Sequence, residues 1–169
     1  MTLEERRLRP EHHVVHDYAN LLSSGLLRSE KYVALLLNIP TANSHAWHAF
    51  YMNCRKTYEF FHHQKSKEHF RAQQFVKPGV TFRFQHWTAD VQKFMNTHTL
   101  HYGGGRVANN TVWTGADDQK YLDEFKGFWE MMLRNLKDKH KPIFLDEIDF
   151  RLTEPEFQFC GSLGKEFIL

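Results

Sequence analysis

Residues 43 to 61 read NSHAWHAFYMNCRKTYEFF, and two histidines, His62 and His63, follow directly. Apolar side chains recur in this stretch every three or four residues, which places them along one face of a helix. They are Ala46, Phe50, Cys54, Tyr58 and Phe61. Because Pro40 lies just upstream and favours the first turn of a helix, the helix is expected to begin between Thr41 and Ser44 and to continue to about Gln64.

Three further segments have the same periodicity. It predicts helices from about Pro10 to Leu27, from Trp87 through Leu100, and from Asp117 or Asp118 to Leu136. Residues 65 to 84 are mixed, with signals for a short helix, a turn at residues 77–79 and an extended segment or lone strand up to residue 84. The sequence therefore predicts an all-α fold, a four- to five-helix up-and-down bundle.

Length and composition restrict the class of protein. The chain has 169 residues, 41% of them hydrophobic and 25% charged, which predicts one globular domain and excludes a disordered or low-complexity chain. Residues 142 to 169 alternate acidic and aromatic side chains and are expected to form a C-terminal extension of that domain. The formal net charge of +2 is too small to indicate a nucleic-acid partner by itself.

Three features of the sequence favour a cytoplasmic location. The first residues have no apolar core of a signal peptide, and no window approaches the ~18 apolar residues that span a bilayer. Cys54 and Cys160 lie far apart, without the spacing of a disulfide framework or a cysteine zinc site. We therefore expect a cytoplasmic protein that does not contact a membrane.

The first candidate site combines Arg55 and His62. Seven residues at ~100° each return to within about 20° of the starting direction, so the two side chains share one helix face. A guanidinium stabilises charge that develops on a phosphate, and an imidazole moves a proton near neutral pH, so the pair suits phosphodiester cleavage without a metal. The structural alternative is an i,i+4 ion pair between Arg55 and Glu59, with His62 at a solvated helix end.

Residues 43 to 106 resemble a family. The resemblance is to small bacterial all-helical proteins related to the HEPN superfamily. It is carried by the stretch 43–61, by the later segment Asn96-Thr-His-Thr-Leu-His101-Tyr and by Arg106. That resemblance implies a HEPN-like bundle in which an arginine and a histidine with four to six residues between them form a metal-independent RNase site, usually completed by a second copy. Arg55 and His62, with six residues between them, match that motif.

The resemblance also leaves the identity of the imidazole open. If the third long helix packs beside the second, His101 faces Arg55 and takes the catalytic role in place of His62; the alternative is a core histidine. The expected substrate-binding residues are Asn96, Arg106, Lys56 and Tyr51; for Tyr51, burial in the core is the favoured alternative to stacking on a base. This interpretation involves RNA as substrate and a homodimer, and it requires no cofactor and no metal ion.

Two other functions stay open. A non-catalytic interaction module would use the same bundle to dimerise or to bind a protein partner. Alternatively, the 12 histidines include helical pairs, His12 with His16 and His45 with His48, and facing pairs of this kind hold a metal ion in helical bundles of the DinB type.

Overall fold

The computed structural model describes residues 1–29, 39–62, 70–96 and 115–153, and these residues are mostly helical. In chain order the helices are α1 (Leu3–Arg7), α2 (Pro10–Leu27), α3 (Pro40–Phe61), α4 (Ala72–Phe75), α5 (Ala89–Met95), α6 (Gly115–Arg134) and α7 (Lys141–Thr153). Within these ranges there is no strand, and Val76 and Leu136 form an isolated antiparallel bridge. The all-α prediction is confirmed.

The helix bounds follow local signals. Proline occupies the first turn of both α2 and α3, where its missing N–H costs no hydrogen bond. α3 ends at Phe61 because His62 adopts an extended conformation (φ −80°, ψ 130°). Thr88 caps α5 through its hydroxyl, which accepts from the backbone N–H of Val91. The predicted continuation of that helix to Leu100 lies outside the described residues.

α2 is the central helix, in contact with α1, α3, α6 and α7. Its Tyr18 ring stacks on Trp129 of α6, with ring centroids 4.1 Å apart and planes 10° from parallel. Both rings are buried, and burial of an aromatic side chain of this size stabilises a fold by roughly 1.5–3 kcal/mol. Among the described residues, no helix combines the length and apolarity that crossing a membrane requires.

The sequence from residue 142 onward, expected as an extension, contributes a helix through residue 153. α7 packs on α2 with Phe144 and Ile148 buried. The same face also carries two charged side chains, Glu147 and Arg151, and both are buried. This mixture of apolar and charged side chains on one face explains why no helical periodicity was evident in this part of the sequence.

The first turn of α2 carries three consecutive titratable residues that contact three different parts of the molecule. Glu11 lies 2.6 Å from Nδ1 of His140, just before α7. His12 lies 2.9 Å from the carboxylate of Glu147 in α7. The His13 ring stacks on Phe70, with centroids 6.3 Å apart and planes 16° from parallel. One turn of helix thus joins the segment before α7, α7 itself and the chain before α4.

The segment between α4 and α5 is extended and lies over the core. Phe82 and Phe84 contact the buried ring of Phe128 in α6. The carboxylate of Glu124, also in α6, accepts hydrogen bonds of 2.5, 2.9 and 2.8 Å from three consecutive backbone N–H groups, those of residues 85–87. This carboxylate fixes the end of the extended segment, where a strand was one of the predicted alternatives.

Candidate functional site

A groove of about 540 Å³ lies between α2 and α3, within the range typical of ligand-binding pockets. Tyr18 and Trp129, the stacked pair of the core, are among its lining residues, together with Val14 and Phe61. Met52 and Phe70 also line it and are 39% and 45% exposed. The groove is therefore a preformed, largely apolar surface.

Charged side chains of both signs line the same groove. Nε of Arg55 donates to Oε1 of Glu59 at 2.9 Å, and Nζ of Lys56 lies 3.4 Å from Oδ1 of Asp17 across the groove on α2. All four side chains are between one third and about one half exposed. Because each cation already has a carboxylate partner, the groove carries little net charge.

Of the site residues predicted from the sequence, Arg55 and Lys56 lie together in this groove. The ion pair between Arg55 and Glu59 is the i,i+4 contact that the structural alternative described. It leaves the two Nη nitrogens of Arg55 without a hydrogen-bond partner among the described residues.

His62 lies at the end of α3 and is not among the groove-lining residues. Its ring stacks on Tyr58, with centroids 4.7 Å apart and planes 20° from parallel, and it lies 6.0 Å from the Phe84 ring. Its Nδ1 is buried, with no hydrogen-bond partner in the described part of the chain. The helix ends at Phe61, one residue before His62, so the helical spacing that aligned His62 with Arg55 does not apply. The imidazole packs instead in an aromatic cluster with Tyr58 and Phe84.

Tyr51 is fully buried, as the core alternative proposed. Its hydroxyl donates to the buried carboxylate of Asp118, which also accepts from Nε of Arg28 at 2.8 Å. Burial, reinforced by the charge of Asp118, raises the pKa of the Tyr51 hydroxyl far above its ordinary value. This tyrosine therefore stays neutral and holds α3 to α6 rather than offering a stacking surface.

Asn96 directly follows α5, and its side-chain oxygen is buried without a hydrogen bond to any described residue. His101 and Arg106 lie outside the described residues. The structure therefore brings together Arg55 and Lys56 but neither His62 nor Tyr51 with them.

The histidine pairs considered as metal ligands have other contacts. His12 faces Glu147, and Nε2 of His16 accepts from the amide of Asn20 at 3.1 Å. His48 approaches the backbone carbonyl of Ser44 through Nδ1 at 2.8 Å. Across the described ranges, no three His, Cys, Asp or Glu side chains are placed to hold a metal ion together.

Sequence reasoning missed the contribution of α2 to the groove. Asp17 and His13 lie four residues apart beside the apolar stripe that includes Val14 and Tyr18. A polar edge beside an apolar face is a pattern from which a binding surface on α2 could have been predicted. Which helix it faces depends on packing that no local pattern encodes.

Comparisons with protein-family models, with curated proteins and with solved structures return no match to this chain. The resemblance to HEPN-related proteins therefore stays a prediction from the sequence.

Proposed function

We propose that the protein is a non-catalytic interaction module whose groove between α2 and α3 binds a second copy of the chain. The observation that carries the proposal is the groove itself, a preformed apolar surface with exposed Met52 and Phe70 and a balanced set of charges. Exposed apolar groups framed by polar ones are typical of protein interaction sites.

The charges favour a second copy as the partner. A two-fold interface places the same surface against itself, so it must be self-complementary. The groove offers two cations, Arg55 and Lys56, and two carboxylates, Glu59 and Asp17. Across a two-fold axis, Arg55 of one copy can exchange its partner for Glu59 of the other without leaving an unpaired charge.

The test is the molar mass of the purified protein in solution, measured by light scattering over a range of concentrations. We expect a dimer that Phe70→Glu dissociates, since a carboxylate would enter the apolar surface. Leu145→Glu is the matched control, because Leu145 is exposed to a similar extent (51%) on α7, outside the groove. A monomeric wild-type protein, or equal effects of the two variants, would refute the proposal.

A charge exchange makes the test sharper. Arg55→Glu alone places three carboxylates against one lysine and is expected to weaken the dimer. The double variant Arg55→Glu/Glu59→Arg restores the balance and should restore dimerisation. A double variant as weak as the single one would contradict pairing across the two-fold axis.

Metal-independent cleavage of RNA by a HEPN-like bundle is the second candidate function. The observation that favours it is Arg55, whose Nη nitrogens have no partner among the described residues and which lies beside Lys56 in the groove. In this proposal Arg55 stabilises the charge on phosphorus and His101 moves the proton, because His62 packs in an aromatic cluster outside the groove.

This second candidate is tested by RNA cleavage in excess EDTA with the wild-type protein, Arg55→Ala, His62→Ala and His101→Ala. Far-UV circular dichroism confirms that each variant is folded. EDTA-resistant cleavage that Arg55→Ala and His101→Ala abolish, and that His62→Ala leaves unchanged, would support the nuclease. No cleavage by the wild-type protein across several RNAs would remove it and leave the interaction module.

A further inference from the structure

The loop between α6 and α7 concentrates the positive charge of the chain. Residues 134 to 141 read RNLKDKHK and contain four cations and one carboxylate. With histidine neutral their net charge is +3, against +2 for the whole chain, so the rest of the molecule is slightly negative. We call this segment the basic loop.

The basic loop is held in a fixed conformation next to another lysine. The backbone N–H of Lys77 donates to the carbonyl of Asn135 at 2.9 Å, and that of Lys137 donates to the carbonyl of Phe75 at 2.8 Å. These bonds place Nζ of Lys77 3.6 Å from Oδ1 of Asp138. Lys77 therefore adds a further cation to the same surface.

Most of these cations are exposed. The side chains of Lys77 and Arg134 are 56% and 70% exposed, and Lys139 and Lys141 are exposed as well. Lys137 is not counted among them, because its Nζ donates to the carbonyl of Gln74 at 2.7 Å and so joins the basic loop to α4. Lys139 and Lys141 lie at the N-terminus of α7, where the helix dipole adds potential of the same sign.

We propose that the basic loop and Lys77 bind the phosphate backbone of nucleic acid. Several lysines on one rigid surface are the usual electrostatic footprint of a protein that binds phosphates. This site lies outside the α2–α3 groove and does not depend on dimerisation through it. Its lysines position a strand, and no cleavage is assigned to them.

The surroundings of the basic loop favour nucleic acid over a membrane surface as its ligand. Leu136, its one apolar side chain, is buried, so the loop offers nothing to insert between lipids. The His140 ring is also engaged, since it packs 5.2 Å from Phe75 and its Nδ1 faces Glu11. With no free ring on which bases can stack, the loop contacts phosphates and is indifferent to base sequence.

The experiment measures binding of the full chain to a short fluorescent single-stranded RNA by polarisation, between about 50 and about 200 mM salt. Each phosphate contact contributes a slope of about −0.7 in log affinity against log salt, so the four exposed cations of the site predict a slope of about −2.8. Lys139→Glu/Lys141→Glu should weaken binding at least about tenfold and reduce the slope by about 1.4.

The matched control is Arg83→Glu/Lys120→Glu, which gives the same net charge at two exposed cations, Arg83 in the extended segment before α5 and Lys120 on α6. Lys120 lies 14 residues before Arg134 on α6, roughly 20 Å along the helix axis from the basic loop. Circular dichroism checks folding, and Lys139→Gln/Lys141→Gln repeats the test without reversed charges. Equal losses in loop and control variants, or no binding by the wild-type protein at low salt, would overturn the proposal. The proposal would also be overturned if the loop variants lost binding to anionic vesicles while their binding to RNA stayed unchanged.

Discussion

Replacing the buried carboxylate of Glu147 in α7 should strongly destabilise the fold. Its side chain is 1% exposed and lies 2.9 Å from His12 and 3.1 Å from Arg6. Breaking a buried charged pair by removing one partner costs about 3–5 kcal/mol. Arg6 keeps a second carboxylate, Asp146, at 2.8 Å, so we place Glu147→Gln near the lower end, at about 3 kcal/mol.

The neighbouring residue supplies the control. Asp146 contacts the same arginine but is 46% exposed, and exposed ion pairs contribute at most about 1 kcal/mol. Asp146→Asn therefore removes one charge from the same helix at a much smaller cost.

Urea unfolding followed by tryptophan fluorescence measures both variants, since buried Trp129 lies 6.1 Å from the Phe144 ring of α7. With a slope of about 2 kcal/mol per molar urea, Glu147→Gln should lower the midpoint by about 1.5 M and Asp146→Asn by about 0.5 M or less. Equal shifts would refute the conclusion that α7 is anchored by the buried carboxylate.

Three other variants or modifications test separate features. Gly127→Ala should stabilise the protein by about 1 kcal/mol in urea unfolding, because an added Cβ meets no atom within 4 Å and alanine favours the helix. Burial raises the pKa of the Cys54 thiol, so in a Cys160→Ser background Cys54 should resist thiol reagents at mildly alkaline pH until the protein is unfolded; rapid labelling of the folded chain would contradict its burial. Glu124→Gln should cost about 1–2 kcal/mol, measured in the same way, because one amide oxygen cannot replace a carboxylate that accepts from residues 85–87.

The sequence predicted the helices whose apolar faces are uninterrupted. The bounds of α2 agree with the prediction from Pro10 to Leu27, and α3 begins and ends within a few residues of its expected limits. In both, proline sets the start and the apolar spacing sets the buried face. α7 was missed because Glu147 and Arg151 occupy buried positions, and the partners of Glu147 lie on elements distant in sequence.

The candidate site was predictable only where one helix defines it. Arg55, Lys56 and Glu59 are neighbours on α3, and their helical spacing was visible in the sequence. The alignment of Arg55 with His62 assumed that the helix continues, whereas the chain turns extended at His62. The opposite wall of the groove comes from α2, and a sequence pattern does not encode which helix packs there.

The first turn of α2 has a consequence for how the chain folds during synthesis. Glu11 and His12 are separated from their partners His140 and Glu147 by 129 and 135 residues. During synthesis on the ribosome, α2 leaves the exit tunnel before α7 does. Until α7 has emerged, Glu11 and His12 lack the partners that His140 and Glu147 provide in the folded protein. Contacts between residues so far apart slow folding, because a long loop must close before they form. α7 therefore completes the contacts of α2, and a nascent chain stalled before residue 147 would lack the Glu147 carboxylate that pairs with His12.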